Sequence, residues 1–545
     1  MKLKENNSAQ KLRGGYYTPQ VLADFIVKNI VKKDKVSILE PSCGDGVFLE
    51  SISKHISEKQ IKYVEAIEII KEEVEKVREK KYGKKYKVIN EDFLEFYRMN
   101  KNKKYDLILG NPPYIRYQYL TEEQRKIQSE ILINNGMKSN KLINSWVCFL
   151  VACINMLTDG GSIGFIIPAE LLQVAYAKDL RQYLSNHLSK ITLLTFKELV
   201  FPNIEQEIVV LIGEKNTNLA IENAMISVVE FTNFDDMLEC DFSSIEYQYI
   251  EHTKEKWIHY FLNANENNEI YKFKKHLNFT TFDQIALVNI GITTGNNKYF
   301  SIEKETLEKY SLDEVVLPLI GRSAHAHGLF FNEEDWKKNI EDNKRAQLLK
   351  FPDNVPYDEY PESHKEYIRM GEETEQHIGY KCKIRNRWYI IPGVWSPDAF
   401  FLRRNNIFPK FVLNEINAVS TDTMHRVKFK EHIDKRKALL SYYNSISFAF
   451  TEINGRSYGG GVLEILPREL GAVVLPDIQK IDADLSDELL EIIDDYIRNK
   501  KDINELLDIV DKAVLVDYLG ISNDTINIFR RIWEKLMNRR LSRSR

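Results

Sequence analysis

The sequence predicts an α/β fold built on a largely parallel sheet, and three observations predict it. Over residues 16–215 short apolar strands alternate with helical segments, the pattern of strand–helix–strand crossovers. A glycine-containing turn follows the first strand and leads into a helix. Acidic residues stand just after the next two strands. Open α/β sheets bind ligands outside the carboxyl ends of their strands, which is where these residues fall.

The strands are predicted at 36–39, 63–67, 87–89, 105–109, 163–167, 191–195 and 208–212, with helices near 19–31, 46–56, 70–81, 144–157 and 169–187. The turn Asp159-Gly160-Gly161 separates the fourth helix from the strand after it. Residues 216–280 read as a less regular, partly acidic connector. Residues 281–545 turn aromatic and mixed, and a helical portion over 483–541 begins acidic and ends basic. The expected domains are therefore 1–215, a connector 216–280, and 281–545.

A net charge of −4 argues against a protein that coats nucleic acid, but says little about an enzyme with one local basic cleft. Cys43, Cys148, Cys153, Cys240 and Cys382 make no C-x-x-C pair and no zinc spacing. Reduced thiols and no metal are expected. The N-terminus lacks the apolar core of a signal peptide, and the apolar stretch 146–157 is too short and too polar to span a bilayer. The expectation is a soluble, cytoplasmic monomer.

The first strand runs into Glu40-Pro41-Ser42-Cys43-Gly44-Asp45-Gly46. A strand, a glycine turn and a helix let backbone N–H groups approach a ligand. Alone, two glycines after a strand are only a turn, and the third glycine of the dinucleotide fingerprint is missing. Glu68 follows the second strand, where a carboxylate accepts two ribose hydroxyls. Asp92-Phe93 follows the third, offering an acceptor and an aromatic face to an adenine ring. Together they favour a nucleoside-containing cofactor. Upstream, in Gly14-Gly15-Tyr16-Tyr17-Thr18-Pro19, Thr18 reads as an N-cap with Pro19 as the first helical residue. The tyrosines before the cap are placed to cover a ligand.

Asn111-Pro112-Pro113-Tyr114 stands at the end of the fourth strand. The prolines stiffen the loop and remove two donors, leaving carbonyls as acceptors. The Asn111 side-chain oxygen and the Pro112 carbonyl are suited to accept both hydrogens of one planar NH₂ group. Such a nitrogen is a poor nucleophile because its lone pair is delocalised. Holding both hydrogens favours a pyramidal nitrogen, which is stabilisation by positioned acceptors without a covalent intermediate. Tyr114 is expected to stack on the ring.

These segments resemble those of the γ-type N6-adenine DNA methyltransferases, the TaqI-like and Eco57I-like enzymes of restriction–modification systems. The resemblance runs in family order through Gly-Tyr-Tyr-Thr-Pro, 39–46, Glu68, Asp92-Phe93, 111–114 and Leu199-Val200-Phe201-Pro202, and covers roughly residues 13–215. It implies a Rossmann-like, class I S-adenosylmethionine-dependent methyltransferase domain with a mixed seven-stranded sheet, followed by a mixed α+β target-recognition domain. It implies Asn111, Pro112, Pro113 and Tyr114 as catalytic residues, with Tyr114 and Phe201 stacking on an adenine flipped out of duplex DNA. S-adenosylmethionine is then expected at Tyr17, Thr18, Glu40, Ser42, Gly44, Asp45, Gly46, Glu68, Asp92, Phe93 and Asn111. One departure is the turn 42–46, one of several forms in the family, so the contact of Asp45 stays open.

The segment 289–297, Asn-Ile-Gly-Ile-Thr-Thr-Gly-Asn-Asn, resembles one that opens the recognition domain of Eco57I-like enzymes. Between residues 381 and 410 lie Lys381, Lys383, Arg385, Arg387, Arg403, Arg404 and Lys410 against the single acid Asp398, interleaved with Trp388, Tyr389 and Trp395. Basic residues among aromatics suit phosphate contact and base-edge reading. Lys381, Lys383, Arg385, Arg387, Trp388, Arg403 and Arg404 are the expected double-stranded DNA contacts. Asn414, Asn417, Ser420, Thr421 and His425 are further polar candidates, and 457–461 is a place for close backbone approach. The basic tail from Arg530 to Arg545 reads equally as a phosphate contact or a frayed helix end.

A HemK-like protein glutamine N5-methyltransferase is the rival from another substrate class, because a side-chain amide offers a similar NH₂. Those chains are shorter and place a helical domain first. Fewer than 40 residues here precede the first strand and more than 300 follow the sheet, which favours DNA. A DNA N4-cytosine methyltransferase shares the chemistry, though Ser commonly opens its loop. A fused restriction nuclease is disfavoured by the short segment before Gly15 and by the lack of a nuclease motif later. A separate cognate restriction endonuclease is a candidate partner.

Overall fold

The computed structural model describes residues 18–198, 207–217, 224–250 and 256–542. The chain divides into two compact units, Met1–Phe261 with Ser542–Arg545, and Leu262–Leu541.

The first unit runs α1 (Gln20–Ile30), β1 (Val36–Glu40), α2 (Val47–His55), β2 (Ile61–Glu68), α3 (Lys71–Glu79), β3 (Tyr86–Asn90), α4 (Phe93–Met99) and β4 (Tyr105–Gly110). It continues with α5 (Glu122–Asn134), α6 (Ser145–Asn155), β5 (Leu157–Pro168), α7 (Lys178–His187), β6 (Leu188–Phe196), β7 (Ile208–Lys215), β8 (Met225–Phe231) and β9 (Gln248–Tyr249). The sheet order is β3-β2-β1-β4-β5-β7-β6-β8-β9. From β3 to β5 all neighbours are parallel, and β7 enters antiparallel between β5 and β6.

Alternation along the strands divides the core between the two faces of the sheet. Ile38, Leu107 and Leu109 pack with Leu22, Phe25, Phe48 and Leu49 of α1 and α2. Leu39, Tyr105 and Ile108 pack with Phe93, Ile131, Trp146 and Leu150 of α4, α5 and α6. β1 pairs with β4 although β2 and β3 intervene in sequence, so the strand order reverses there. A crevice opens at the carboxyl ends beside such a reversal.

The seven predicted strands are present, each longer than predicted, from one added residue in β1 and β4 to seven in β5, in a mixed sheet of nine. The two additional strands lie within the stretch expected as a connector. Met225–Phe231 pairs parallel with β6 and buries Ile226 and Phe231, so this stretch completes the first unit. The division at Phe261/Leu262 thus falls inside the expected 216–280 connector, and helix Ala264–Phe273 belongs to the second unit. Helices α4 and α5 are also additional to the predicted ones. Asp92 caps the first, and Thr121 with Gln124 forms a capping box on the second.

The second unit holds a five-stranded sheet of β10 (Ala286–Ile290), β11 (Phe330–Phe331), β12 (Ala399–Leu402), β13 (Phe411–Asn414) and β14 (Met424–Phe429), in the order β10-β14-β12-β13-β11. Beside β10, a Cβ on Gly291 would lie 1.9 Å from the Thr421 carbonyl oxygen, so only glycine fits. Helices Ala483–Arg498, Ile503–Val510 and Asn523–Leu541 form the helical portion expected near the end. The described part of the basic tail, through Ser542, is held by packing. Arg540 pairs with Glu452 at 2.7 Å with both side chains 2% exposed, and Arg530 pairs with Asp511 at 2.9 Å. Their guanidinium groups are engaged inside the unit, so these two arginines are neither phosphate contacts nor part of a frayed end. Among the described residues, no helix is long and apolar enough to cross a membrane, and no cluster of His, Cys, Asp and Glu is arranged to hold a metal.

Candidate active site

At the end of β1 the chain turns through Gly44 and Gly46. Gly46 has φ +84°, and a Cβ there would lie 3.1 Å from Val77 Cγ2, which accounts for a glycine at the start of α2. The turn is tied to the end of β2. The Cys43 N–H donates to the Ile67 carbonyl and the Gly44 N–H to Glu68 Oε2, both at 2.9 Å. Glu68 Oε1 accepts from the Ile70 N–H at 2.9 Å. Glu68 therefore braces the turn while presenting its carboxylate at the strand end.

Glu40 lies beneath this turn, 1% exposed, and among the described residues its Oε2 has no hydrogen-bond partner. Burial, reinforced by Asp45 and Glu68, pushes its carboxyl well above the usual carboxylate range. Burial likewise raises Asp45, against the pull of Lys80. An unpaired buried carboxylate is costly without a partner. Three carboxylates around a glycine turn suit a ligand that carries hydroxyl donors and positive charge.

Asp92 and Phe93 are used differently from the expectation. Asp92 Oδ1 accepts from the Leu94 N–H at 2.8 Å, capping α4, and Oδ2 accepts from Gln124 Nε2 at 2.7 Å. Phe93 is 3% exposed, with its ring packed 4.8 Å from that of Phe149. Its aromatic face is turned into the core, because Phe93 is the first residue of a helix whose apolar side covers the sheet.

The Asn111–Tyr114 loop leaves β4 beside the β1 turn. Asn111 Nδ2 donates to Thr18 Oγ1 at 3.2 Å, and Tyr114 Oη lies 2.9 Å from Asn111 Oδ1 and 3.1 Å from the Ile166 carbonyl. Tyr114 is half-buried and packs against both core clusters, so it braces the Asn111 amide as well as standing in the loop. Ser42 Oγ donates to the Asn111 carbonyl at 3.2 Å, and Ser145 Oγ donates to the Pro113 carbonyl. Among the described residues, the Pro112 carbonyl between them accepts no hydrogen bond. The structure thus brings Thr18, Ser42, Asn111 and Pro112 together at the reversal between β1 and β4. Tyr17 and Phe201 lie outside the described residues.

In the second unit a cleft of about 1010 Å³ is lined by 288–293 together with Lys381, Ile384, Arg385, Arg387, Pro392 and Arg426. Arg385 donates to the carbonyls of Thr293 and Trp388, and Arg387 to those of Val355 and Asp353. Arg426, which is not among the candidates drawn from the sequence, lies 4.4 Å from the ring of Trp395 and donates to the carbonyls of Ile290 and Gly393, each at 3.1 Å. Among the described residues, Lys381, Arg385, Arg387 and Arg426 have no carboxylate partner. The alternation along β14, which buries Val427 and leaves Arg426 outward, is the signal that marks Arg426.

The other expected contacts part from this cleft. Lys383 is exposed but does not line it. Trp388 packs 4.9 Å from Tyr299 and donates to Glu372 Oε1, placing it in an aromatic core. Arg403 and Arg404 both pair with the buried Glu464, at 3.0 and 3.3 Å. Asn414 satisfies backbone groups around Ala418, and Ser420, Thr421 and His425 are buried, so these are structural. Asn417 is exposed at a positive φ of 56°.

A family model described as Eco57I restriction-modification methylase matches residues 28–201, and one described as Type II methyltransferase M.Eco57I, C-terminal domain, matches residues 254–515. The chain is similar to the Type II methyltransferase M.AccI of Acinetobacter calcoaceticus, 25% identical over 92% of this chain and 93% of that protein. It is also similar to the Type II methyltransferase M.HincII of Haemophilus influenzae, 24% identical over 90% and 94%. Among solved structures, the Type IIL restriction-modification enzyme MmeI in complex with DNA shares the fold, with a TM-score of 0.55 and 11% identity over 95% of this chain and 74% of that one.

Proposed function

This chain belongs to the Eco57I-type restriction–modification methyltransferases, and we propose that it transfers the methyl group of S-adenosylmethionine to N6 of an adenine flipped out of duplex DNA. The observation that carries this reading is the pair of acceptors at the end of β4. Asn111 has its amide held by Thr18 and Tyr114, and the Pro112 carbonyl, between two bonded ones, accepts no hydrogen bond among the described residues.

The residues of the β1 turn fit the cofactor. Glu40 is a buried carboxylate with one oxygen lacking a partner among the described residues, and Asp45 and Glu68 add negative charge beside it. Glu40, Ser42, Gly44, Asp45, Gly46 and Glu68, with Thr18 and Tyr17, are the residues that would hold it. Asp92 would contribute through the loop it caps. When bound, S-adenosylmethionine supplies an electrophilic methyl group on a positively charged sulfur. Asn111 Oδ1 and the Pro112 carbonyl accept the two amino hydrogens of the base and orient its lone pair. After transfer the nitrogen loses one proton to solvent, since neither acceptor is basic. Tyr114 and Phe201 are assigned to steady the ring.

For the DNA track, Lys381, Arg385, Arg387 and Arg426, which have no carboxylate partner among the described residues, support phosphate and base contact at the second-unit cleft. Arg403 and Arg404 are ranked behind these cations because both share the single carboxylate of Glu464. A separate cognate restriction endonuclease is a candidate partner of the activity. The glutamine reading lacks support from the relatives, and the N4-cytosine reading differs only in the ring presented to the same acceptors. Mass spectrometry of nucleosides from duplex DNA methylated by the purified protein separates these outcomes. N6-methyladenine supports the proposal, and N4-methylcytosine or unmodified DNA overturns it.

A further inference from the structure

Ser145 lies 30 or more residues beyond the catalytic loop in sequence, yet it makes three bonds to that loop's backbone. Its Oγ donates to the Pro113 carbonyl and accepts from the Ile115 N–H at 3.0 Å, and its own N–H donates to the Ile115 carbonyl at 2.9 Å. The residue is 1% exposed, at the first position of α6, the helix that buries Trp146, Leu150 and Ile154 against the sheet. Ser145 therefore transmits the position of a rigid core helix to the backbone on either side of Tyr114.

We propose that Ser145 is a positioning residue for methyl transfer, resting on the assignment of Asn111 and Pro112 as acceptors. Engaging the Pro113 carbonyl and the Ile115 amide fixes the peptide planes that follow Pro112. Ser42 fixes the plane before it by donating to the Asn111 carbonyl. Between these anchors the Pro112 carbonyl has a single direction and no competing donor among the described residues. Each ring fixes φ, and Pro113 confines the ψ of Pro112 to the broad extended range, but within that range the loop stiffness read from sequence does not by itself aim this carbonyl. The serine bonds supply the missing restraint. Ser145 also holds Tyr114, whose hydroxyl orients Asn111 Oδ1, so one side chain supports both acceptors. Ser145 touches neither of the proposed substrate acceptor atoms, and its effect passes through the loop.

The test compares the full-length protein with Ser145→Ala and Ser145→Thr, measuring kcat and KM for duplex DNA, the Kd for S-adenosylmethionine, and Tm. Misaimed acceptors should lower kcat by roughly 10- to 100-fold, with cofactor Kd and Tm close to the wild type, and Ser145→Thr should restore most of the rate. Should Ser145→Ala fail to fold, Ser145→Cys fills the space with a weaker, longer bond and should show the same fall in kcat. Wild-type kcat in a folded variant without the hydroxyl overturns the proposal, as does a loss confined to Tm or to cofactor binding. A wild-type protein that fails to methylate DNA refutes the proposed function instead, so the two failures are distinguishable.

Discussion

Tyr114 Oη lies 2.9 Å from Asn111 Oδ1, so the last residue of the Asn111–Tyr114 loop orients the amide of the first. Asn111 Nδ2 is bonded in turn to Thr18 Oγ1 at 3.2 Å. Two independent contacts thus define which way the amide oxygen faces. Replacing Asn111 by Ala should reduce methyl transfer by at least about 100-fold, the scale for losing one positioned polar group in a reaction centre. Cofactor affinity, measured by calorimetry, should fall far less. Unchanged turnover would show that the loop is not catalytic.

The buried Glu40 carboxyl should link cofactor binding to pH. Burial, with Asp45 and Glu68, holds its pKa above the unfolded value. The folded protein therefore binds the proton more tightly, and stability falls as pH rises from the unfolded pKa through the folded one. In cofactor-free protein, Glu40→Gln should raise Tm at neutral and alkaline pH, and the gain should vanish below the ordinary carboxylate range. The same variant should bind S-adenosylmethionine more weakly. A Tm difference that grows on acidification contradicts this placement of the charge.

Arg426 and its neighbours should carry the DNA contact in place of Arg403 and Arg404. Replacing Arg385, Arg387 or Arg426 by Ala should weaken binding and reduce the slope of log K against log salt by about 1 for each phosphate left without its cation. Arg404→Ala should leave the slope unchanged, because its guanidinium faces Glu464. Fluorescence anisotropy across a salt series reads both. The reverse pattern would move the DNA track away from this cleft.

The Glu452–Arg540 pair ties the final helix to the buried helix Ser445–Asn454, and both side chains are 2% exposed. Arg540→Met strands a buried carboxylate and should destabilise the protein by about 3–5 kcal/mol. The double variant Glu452→Leu, Arg540→Met should recover much of that loss. Chemical denaturation of the full-length variants reads both. A single variant as stable as the wild type contradicts the pairing.

The sheet and the loop proposed as catalytic are legible in the sequence because their signals are contiguous: a buried strand such as 105–109 runs straight into Asn111–Tyr114. Glu40, Gly44, Gly46 and Glu68 are legible for the same reason, each standing at or just beyond a strand end. Phe93 is not, because the side of a helix a residue occupies depends on where that helix begins, and the sequence pattern does not reveal α4. Ser145 is invisible, since its bonds to Pro113 and Ile115 cross 30 or more residues of intervening chain. Arg403 and Arg404 look like free cations because Glu464, the carboxylate they share, is about 60 residues further along. Local patterns reveal elements and strand-end motifs, whereas charge partners and second anchors are properties of the folded chain.

The central claim is that Asn111 and Pro112 activate an adenine amino group. The most direct measurement is the identity of the base methylated when purified protein, labelled S-adenosylmethionine and duplex DNA are combined, with Asn111→Ala run in parallel. The account predicts label in N6-methyladenine alone with the wild type, and none with the variant. Label in N4-methylcytosine, in protein glutamine, or in adenine with Asn111→Ala as efficiently as with the wild type would contradict it.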